Sequence, residues 1–289
     1  MPEYLPASAY QAVGHRLDSD VQIQIYKHRS TLQNLIIPAV SEPLLVLVLS
    51  GGALVEERTG EQDWTANAVT ADDFFLTMSS QPYEMRWKTE SDADFEVVHV
   101  YLSQRLLDLA ARDVSGGQAA PFRLQDVSGA RDPQVSQLMR GLYQEVTAQR
   151  EASTLYLHSI GQALAVHLVR HYRDEREGLK GGNALPAYKL HAVIDHMRLS
   201  LESGFNLSSL ATVAGMSDFY FSRMFRRATG QSPSQYFIHL RMEMARQLLL
   251  ASTLSIIEIA LEVGYSSPSH FAQVFKRHTG ISPRDYRQG

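Results

Sequence analysis

The segment LSSLATVAGMSDFYFSRMFRRATGQSP, Leu207–Pro233, recurs in altered form as IIEIALEVGYSSPSHFAQVFKRHTGISP, Ile256–Pro283. Leu207, Leu210, Ala211 and Gly215 reappear 49 residues later as Ile256, Ile259, Ala260 and Gly264. One extra residue in the turn then shifts the offset to 50, at which Phe221, Phe225, Thr229, Gly230, Pro233 and Tyr236 match Phe271, Phe275, Thr279, Gly280, Pro283 and Tyr286. In each copy a short helix with apolar residues at i, i+3 and i+4 meets a glycine turn and then a second helix, the pattern of a helix-turn-helix. Thr-Gly closes each second helix, with Gly230 and Gly280 where a left-handed residue is needed.

The second helices predict an inward stripe of Phe221, Met224, Phe225 and Ala228, and of Phe271, Val274 and Phe275 in the later copy. Tyr220, Arg223, Arg226 and Arg227 then point outward, as do Ser269, His270, Gln273, Lys276 and Arg277. These outward side chains suit base edges and phosphates. Arg223 can reach a guanine edge and Gln273 an adenine edge, with phosphate or water as the alternative partner of each. Arg226, Arg227, Lys276 and Arg277 lie at helix ends, where phosphate is the natural partner and the helix dipole also favours a cation.

Between the copies, Ser234 to Leu250 carries Tyr236, Leu240, Met244 and Leu248 on one face and predicts a helix of ~24 Å. Ahead of them Leu190, Val193, Ile194, Met197 and Leu201 predict another, ending at Gly204.

The whole C-terminal pattern resembles the DNA-binding domain of the AraC/XylS family of bacterial transcription regulators, most of all in Ala260–Arg287. The resemblance implies one chain presenting two recognition helices to successive major grooves of double-stranded DNA, ~34 Å apart. The matching base-reading positions are Phe219, Tyr220, Ser222 and Arg223, then Ser269, His270 and Gln273. Asp218-Phe-Tyr-Phe-Ser is less polar than the usual first recognition helix, which points Phe219 or Tyr220 toward thymine methyls or sugars.

With 289 residues, two domains are expected. Residues 186–289 hold 11 basic and 7 acidic groups and the remainder 16 and 24, so a basic part sits on an acidic body, as polyanion binding in one domain requires. Absent cysteine matches a reducing cytoplasm and removes disulfides and thiolate metal sites. The longest apolar run, Leu44–Leu49, is six residues, against ~20 for a membrane helix. The first residues do not follow the basic-then-apolar order of a secretion leader, so a cytoplasmic protein without membrane attachment is expected.

Upstream, residues 1–20 carry little periodicity and suggest a loose arm. Val21–Tyr26, Leu44–Leu49, Ala53–Glu57, Asp63–Ala66, Phe74–Met78, Tyr83–Thr89 and Phe95–Leu102 predict short strands of a small antiparallel barrel or sandwich. From Ser103 the period becomes helical, with helices capped at Ser103, at Asp132-Pro133, and over Thr154–His171. Strands followed by a helical hairpin resemble the cupin-type sensory half common in the family.

The expected architecture is thus an α+β, cupin-like antiparallel β-barrel plus helical hairpin over 1–173, a linker over 174–187, and an all-α domain with two helix-turn-helix units over 188–289. Partners follow: DNA, a small-molecule effector in the barrel, a second copy through the helix pair at 132–173, and RNA polymerase if the protein activates. Arg86, Trp87, His99 and Tyr101 are the candidates for pocket lining, with plain core as their alternative. His15, His28 and His99 are too widely spaced for a metal cupin, and His167 and His171 form a helical i, i+4 pair that a solvated helix end also explains. No metal, cofactor or catalytic set is expected. A cupin-type enzyme with an appended DNA-binding domain and an effector-independent DNA-binding protein are the alternatives.

Overall fold

The computed structural model describes residues 10–17, 20–28, 31–78, 81–89, 95–117, 123–174 and 185–288. The chain divides into two compact units, one ending at Tyr188 and the other beginning at Lys189. Most of the expected linker, 175–184, lies outside the described residues.

The first unit runs β1 (Tyr10–Leu17), β2 (Val21–His28), β3 (Thr31–Ile37), β4 (Leu44–Ser50), β5 (Gly52–Arg58), β6 (Thr65–Thr70), β7 (Asp73–Thr77), β8 (Tyr83–Thr89) and β9 (Phe95–Leu102). There follow α1 (Gln104–Val114), β10 (Arg123–Leu124), β11 (Val127–Arg131), α2 (Pro133–Thr147), α3 (Thr154–His171) and β12 (Arg173–Asp174). The strands form two antiparallel sheets, β1-β2-β9-β4-β7-β11 and β3-β8-β5-β6, beside a short β10-β12 ladder. The expected barrel is therefore two facing sheets rather than one closed ladder. The expected loose arm also differs, because Tyr10–Leu17 pairs with β2 as an edge strand.

Alternation sorts the six-stranded sheet into two buried faces, which is why Leu44–Leu49 and Phe95–Leu102 read as near-continuous apolar runs. Leu45, Leu47, Val98, Val100 and Leu102 pack on the helices, against Leu106, Met139, Leu142, Leu164 and Leu168. On the opposite face Val48, Phe75, Phe95 and Val97 meet Val55, Val69 and Trp87 of the four-stranded sheet. Helix α3 lies so close to β2 that a Cβ on Gly161 would overlap Val21.

Side-chain caps fix the helix starts. Asp132 accepts hydrogen bonds from the Gln134 and Val135 amides at 2.9 and 3.2 Å, and Pro133 sits at the first helical position. The same carboxylate takes the His167 ring at 2.7 Å and the Tyr172 hydroxyl at 2.8 Å. Burial alone would raise the Asp132 pKa, but these hydrogen bonds outweigh it and hold the group at about 2. His167 thus serves to tie the end of α3 to the start of α2.

The second unit contains most of α4 (Ala187–Leu199), then α5 (Leu207–Ala214), α6 (Asp218–Thr229), α7 (Pro233–Ala251), α8 (Ile256–Glu262), α9 (Pro268–Thr279) and α10 (Pro283–Gln288). The sequence repeat is reproduced in detail. Ser217 and Ser267 cap α6 and α9, and Gly230 and Gly280 end them at φ 75° and 86°. Thr229 donates its hydroxyl to Phe225 O at 2.9 Å, and Thr279 does the same to Phe275 O at 2.9 Å. The Phe225 and Tyr236 rings meet edge-on at 5.3 Å and 83°, the Phe275 and Tyr286 rings at 5.4 Å and 82°.

Arg241 of α7 joins the copies. Its Nε and Nη2 donate to the Leu201 carbonyl at 3.0 and 2.6 Å, and its guanidinium lies 4.8 Å from the Phe237 ring centre and 5.2 Å from that of Tyr265. Gly264 stands beside it at φ 78°, where a Cβ would overlap both the Leu201 oxygen and the guanidinium. No helix among the described residues is long and apolar enough to cross a membrane.

Gly264 and Gly280 both have positive φ, but a Cβ on Gly280 meets nothing within 4 Å. Gly280→Ala should therefore cost about 1 kcal/mol of conformational strain. Gly264→Ala adds steric overlap and should cost at least about 3 kcal/mol. Denaturant titration checks the difference, and equal costs would refute the steric account.

Two histidines, the buried His239 and the partly buried His191, set an acid limit on the second unit. Burial, aided by the nearby charge of Arg198, lowers the His191 pKa to about 4, and burial with His278 and Arg246 nearby does the same for His239. Because the folded values lie below the unfolded value of about 6.5, the stability each contributes is complete above pH 6.5. It is lost as pH falls toward 4, by about 3 kcal/mol per histidine. His239→Leu should flatten the fall in denaturation midpoint between pH 6.5 and 4, measured by urea titration; an unchanged pH profile would contradict this.

Candidate nucleic-acid interface and effector cavity

The faces of α6 and α9 are decided by what the inward stripes bury. Phe221, Phe225, Phe271 and Phe275 have no exposure, and Met224, Ala228 and Val274 are buried with them. These phenylalanines form core and leave no stacking platform. With them inside, Arg223, Arg226 and Arg227 stand exposed on α6, and Ser269, His270, Gln273, Lys276 and Arg277 on α9. Phe219 is 80% exposed and Tyr220 38%, while Ser222 is half-buried. The expected reading positions other than Ser222 are therefore on open helix faces.

Two of them are braced by aromatic contacts. The Arg223 guanidinium lies 5.5 Å from the Tyr220 ring centre, within cation–π range. His270 packs edge-on against Tyr265, ring centres 5.5 Å apart, and Tyr265 in turn lies under Arg241. Ser208 donates to Asp218 at 2.5 Å and joins α5 to the start of α6. Arg226, Arg227, Lys276 and Arg277 fall in last turns, where the helix dipole favours positive charge. Sequence reasoning missed Arg241 and Tyr265 as supports, since the contacts of Arg241 with Leu201 and Tyr265 are distant in the chain; the glycine at 264 was the one local signal of a close approach.

In the first unit a cavity of about 50 Å³ lies between the two sheets. Trp87 and His99 line it, together with His28, Leu44, Val97 and Met85. Tyr101 instead packs in an adjacent cluster with Ile37, Leu44, Tyr83 and Ala187. Arg86 is not among the lining residues. It points to the outer face of β8, bonded to Glu56 at 2.7 and 3.1 Å with its guanidinium 4.2 Å from the Trp64 ring centre. Arginine cannot leave water for an apolar interior without a partner, and the alternation of β8 carries Arg86 outward as it carries Trp87 inward.

Beside the cavity, the buried Glu42 carboxylate accepts from the Ser41 hydroxyl and the Ala187 amide, each at 2.8 Å. Burial raises its pKa, partly opposed by these hydrogen bonds. His28 and His99 both reach the cavity, and His167 is engaged by Asp132 with the His171 ring 4.6 Å away. Among the described residues, no three His, Cys, Asp or Glu are grouped so as to hold a metal.

Residues 210–289 match the family described as a helix-turn-helix domain. The chain is 34% identical over 132 residues to the HTH-type transcriptional regulator GbdR of Pseudomonas aeruginosa, covering 45% of this chain and 36% of that protein. It is 37% identical over 116 residues to the MmsAB operon regulatory protein of the same species, covering 40% of this chain and 35% of that one. Among solved structures, a transcriptional regulator from Chromobacterium violaceum with an AraC-type DNA-binding domain is 34% identical, covering 35% of this chain and 90% of that one at a TM-score of 0.34. The chain spans little more than a third of the length of these curated relatives. On the matched segment, residues 210–289 of this chain are a helix-turn-helix domain, similar in sequence to parts of bacterial transcription regulators.

Proposed function

We propose that this protein is a sequence-specific, DNA-binding transcription regulator, controlled by a small molecule bound between the sheets of a cupin-like N-terminal domain. The observation that carries the reading is the duplication: two equivalent helices, α6 and α9, each bury a phenylalanine stripe and expose a polar and basic face. Two helix-turn-helix units on one chain suit two successive major grooves on one side of the duplex. Phe219, Tyr220, Ser222, Arg223, Ser269, His270 and Gln273 face the bases in this reading, and Arg226, Arg227, Lys276 and Arg277 hold phosphates. The naming of the curated relatives as regulators supports a non-enzymatic role in the cytoplasm, with RNA polymerase as partner if the protein activates. The domains are taken as 1–173 for sensing, 174–187 as linker and 188–289 for DNA.

A second copy of the chain is proposed as a further partner. Helices α2 and α3 spend most of their apolar residues on the sheet, yet Leu155 remains 79% exposed and Tyr156 49%. An open cleft of about 690 Å³ runs beside them, lined by Tyr156, Leu138, Gly141 and Arg140 among others. Exposed apolar groups on an otherwise packed helix pair fit an isologous contact. Leu155→Glu should convert dimer to monomer at tens of micromolar in light scattering without lowering the melting temperature. A variant that stays dimeric would remove this face from the interface.

The DNA reading is tested by separating specificity from charge. Gln273→Ala should reduce affinity for a selected duplex by about tenfold or more and leave a scrambled duplex unaffected. Arg277→Ala should weaken both duplexes and lower the slope of log affinity against log salt by about one unit. Arg223→Ala should do both, because Arg223 carries charge as well as hydrogen-bond donors. Titrations at several salt concentrations decide the matter; equal losses on both duplexes for Gln273→Ala would reject its role as a base reader.

A further inference from the structure

The cavity between the sheets is closed off by residues of both: His28, Leu44 and Val97 from the larger sheet, Val55, Met85 and Trp87 from the smaller. No Asp, Glu, Lys or Arg is among its lining residues. Its polar edges come from rings, and these are held by other rings: His28 lies 4.6 Å from Trp87 and 6.0 Å from Phe95, and His99 meets Tyr26 edge-on at 4.8 Å. A charged ligand here would give up its water with no opposite charge to replace it, which is prohibitive. A sugar would meet too few donors and acceptors for its hydroxyls, each leaving a polar group without a partner. An apolar ring loses nothing on entry and gains packing.

Size sets the other limit. The free volume of about 50 Å³ is well below the ~150 Å³ of an engineered cavity that holds benzene. Met85, only partly buried, is the one unbranched flexible side chain in the lining, and its rotation is the least costly way to widen the space.

We propose that this cavity is the site of the effector and that it takes a small, uncharged, largely apolar molecule of at most about one aromatic ring, packed against the His28, Trp87 and His99 rings. The proposal rests on the effector-controlled reading above and adds the chemical class. Occupancy has a route to the rest of the unit, because Ile37, Leu44 and Tyr83 line the cavity and also pack on Ala187, whose amide Glu42 holds.

The experiment is a thermal-shift measurement on the full chain with toluene and phenol as neutral probes, benzoate and benzylamine as charged ones of like size, and ribose as a polyhydroxylated one. Neutral probes at ten times their dissociation constant should raise the melting temperature by about 3 °C, and the charged and hydroxylated probes should not. Val97→Ala, which enlarges the space, should tighten phenol binding several-fold, and Val97→Phe, which fills it, should abolish the shift. If benzoate, benzylamine or ribose shifts the wild-type chain and loses its effect in Val97→Phe, the class is wrong while effector control stands. If neutral probes act alike on wild type and both variants, they bind elsewhere and the proposed site is overturned. If no probe shifts either the wild-type or the Val97→Ala chain, both the class and the effector reading fail.

Discussion

The C-terminal unit depends on one guanidinium in a place with no room to spare. Arg241 projects from α7, donates twice to the Leu201 carbonyl, and packs between the Phe237 and Tyr265 rings. Leu201 belongs to the end of the α4 region, Phe237 to the helix that follows the first copy, and Tyr265 to the turn of the second copy. One side chain therefore fixes the second helix pair against the segment that precedes the first. Burial lowers the Arg241 pKa, with the Tyr265 hydroxyl opposing, but an arginine remains charged throughout the physiological range. Such a group must be fully bonded, and the space it needs explains why position 264 carries no side chain.

In the proposed function, this arrangement would stiffen the surface that faces DNA. DNA readout by two helices requires their separation and mutual rotation to be set before binding, since any ordering on contact subtracts from affinity. Here α7 spans 19 residues, ~28 Å at 1.5 Å per residue; its first turn carries Tyr236, which meets Phe225 of the first copy, while the matching Phe275–Tyr286 contact of the second copy joins α9 to α10. Tyr265 connects the Arg241 clamp to His270, so support for the helix core and support for an exposed polar side chain share one ring.

The repeat was legible in sequence because its starts and stops are local: Ser before each recognition helix, Thr-Gly after it, and a phenylalanine pair four residues apart inside. The interior strands of the first unit were legible in sequence, and the edge strand β6 in part. Of the five that escaped, β10 and β12 are two-residue strands paired only with each other, and β1, β3 and β11 are edge strands that each carry a register shift, at Ala12/Gly14, Thr31/Leu35 and Val127/Ala130. A bulge breaks the period of two on which strand recognition rests. Pocket lining was half legible: alternation separates Trp87 from Arg86, but only the opposing sheet determines that Tyr101 lies beyond the cavity while His99 and Val97 reach it. The Arg241 clamp had no sequence signal beyond Gly264, because two of its three partners, Leu201 and Tyr265, lie 40 and 24 residues away along the chain.

The most direct measurement of the central claim is selection of bound duplexes from a random DNA library by the full-length protein. Two helices held at a fixed separation on one chain predict two blocks of preferred sequence whose centres lie about 10 to 10.5 base pairs apart. Inserting about half a helical turn, 5 base pairs, between the blocks should abolish specific binding by placing them on opposite faces of the duplex. A single enriched block, or two blocks whose spacing can vary freely without loss of affinity, would contradict the account.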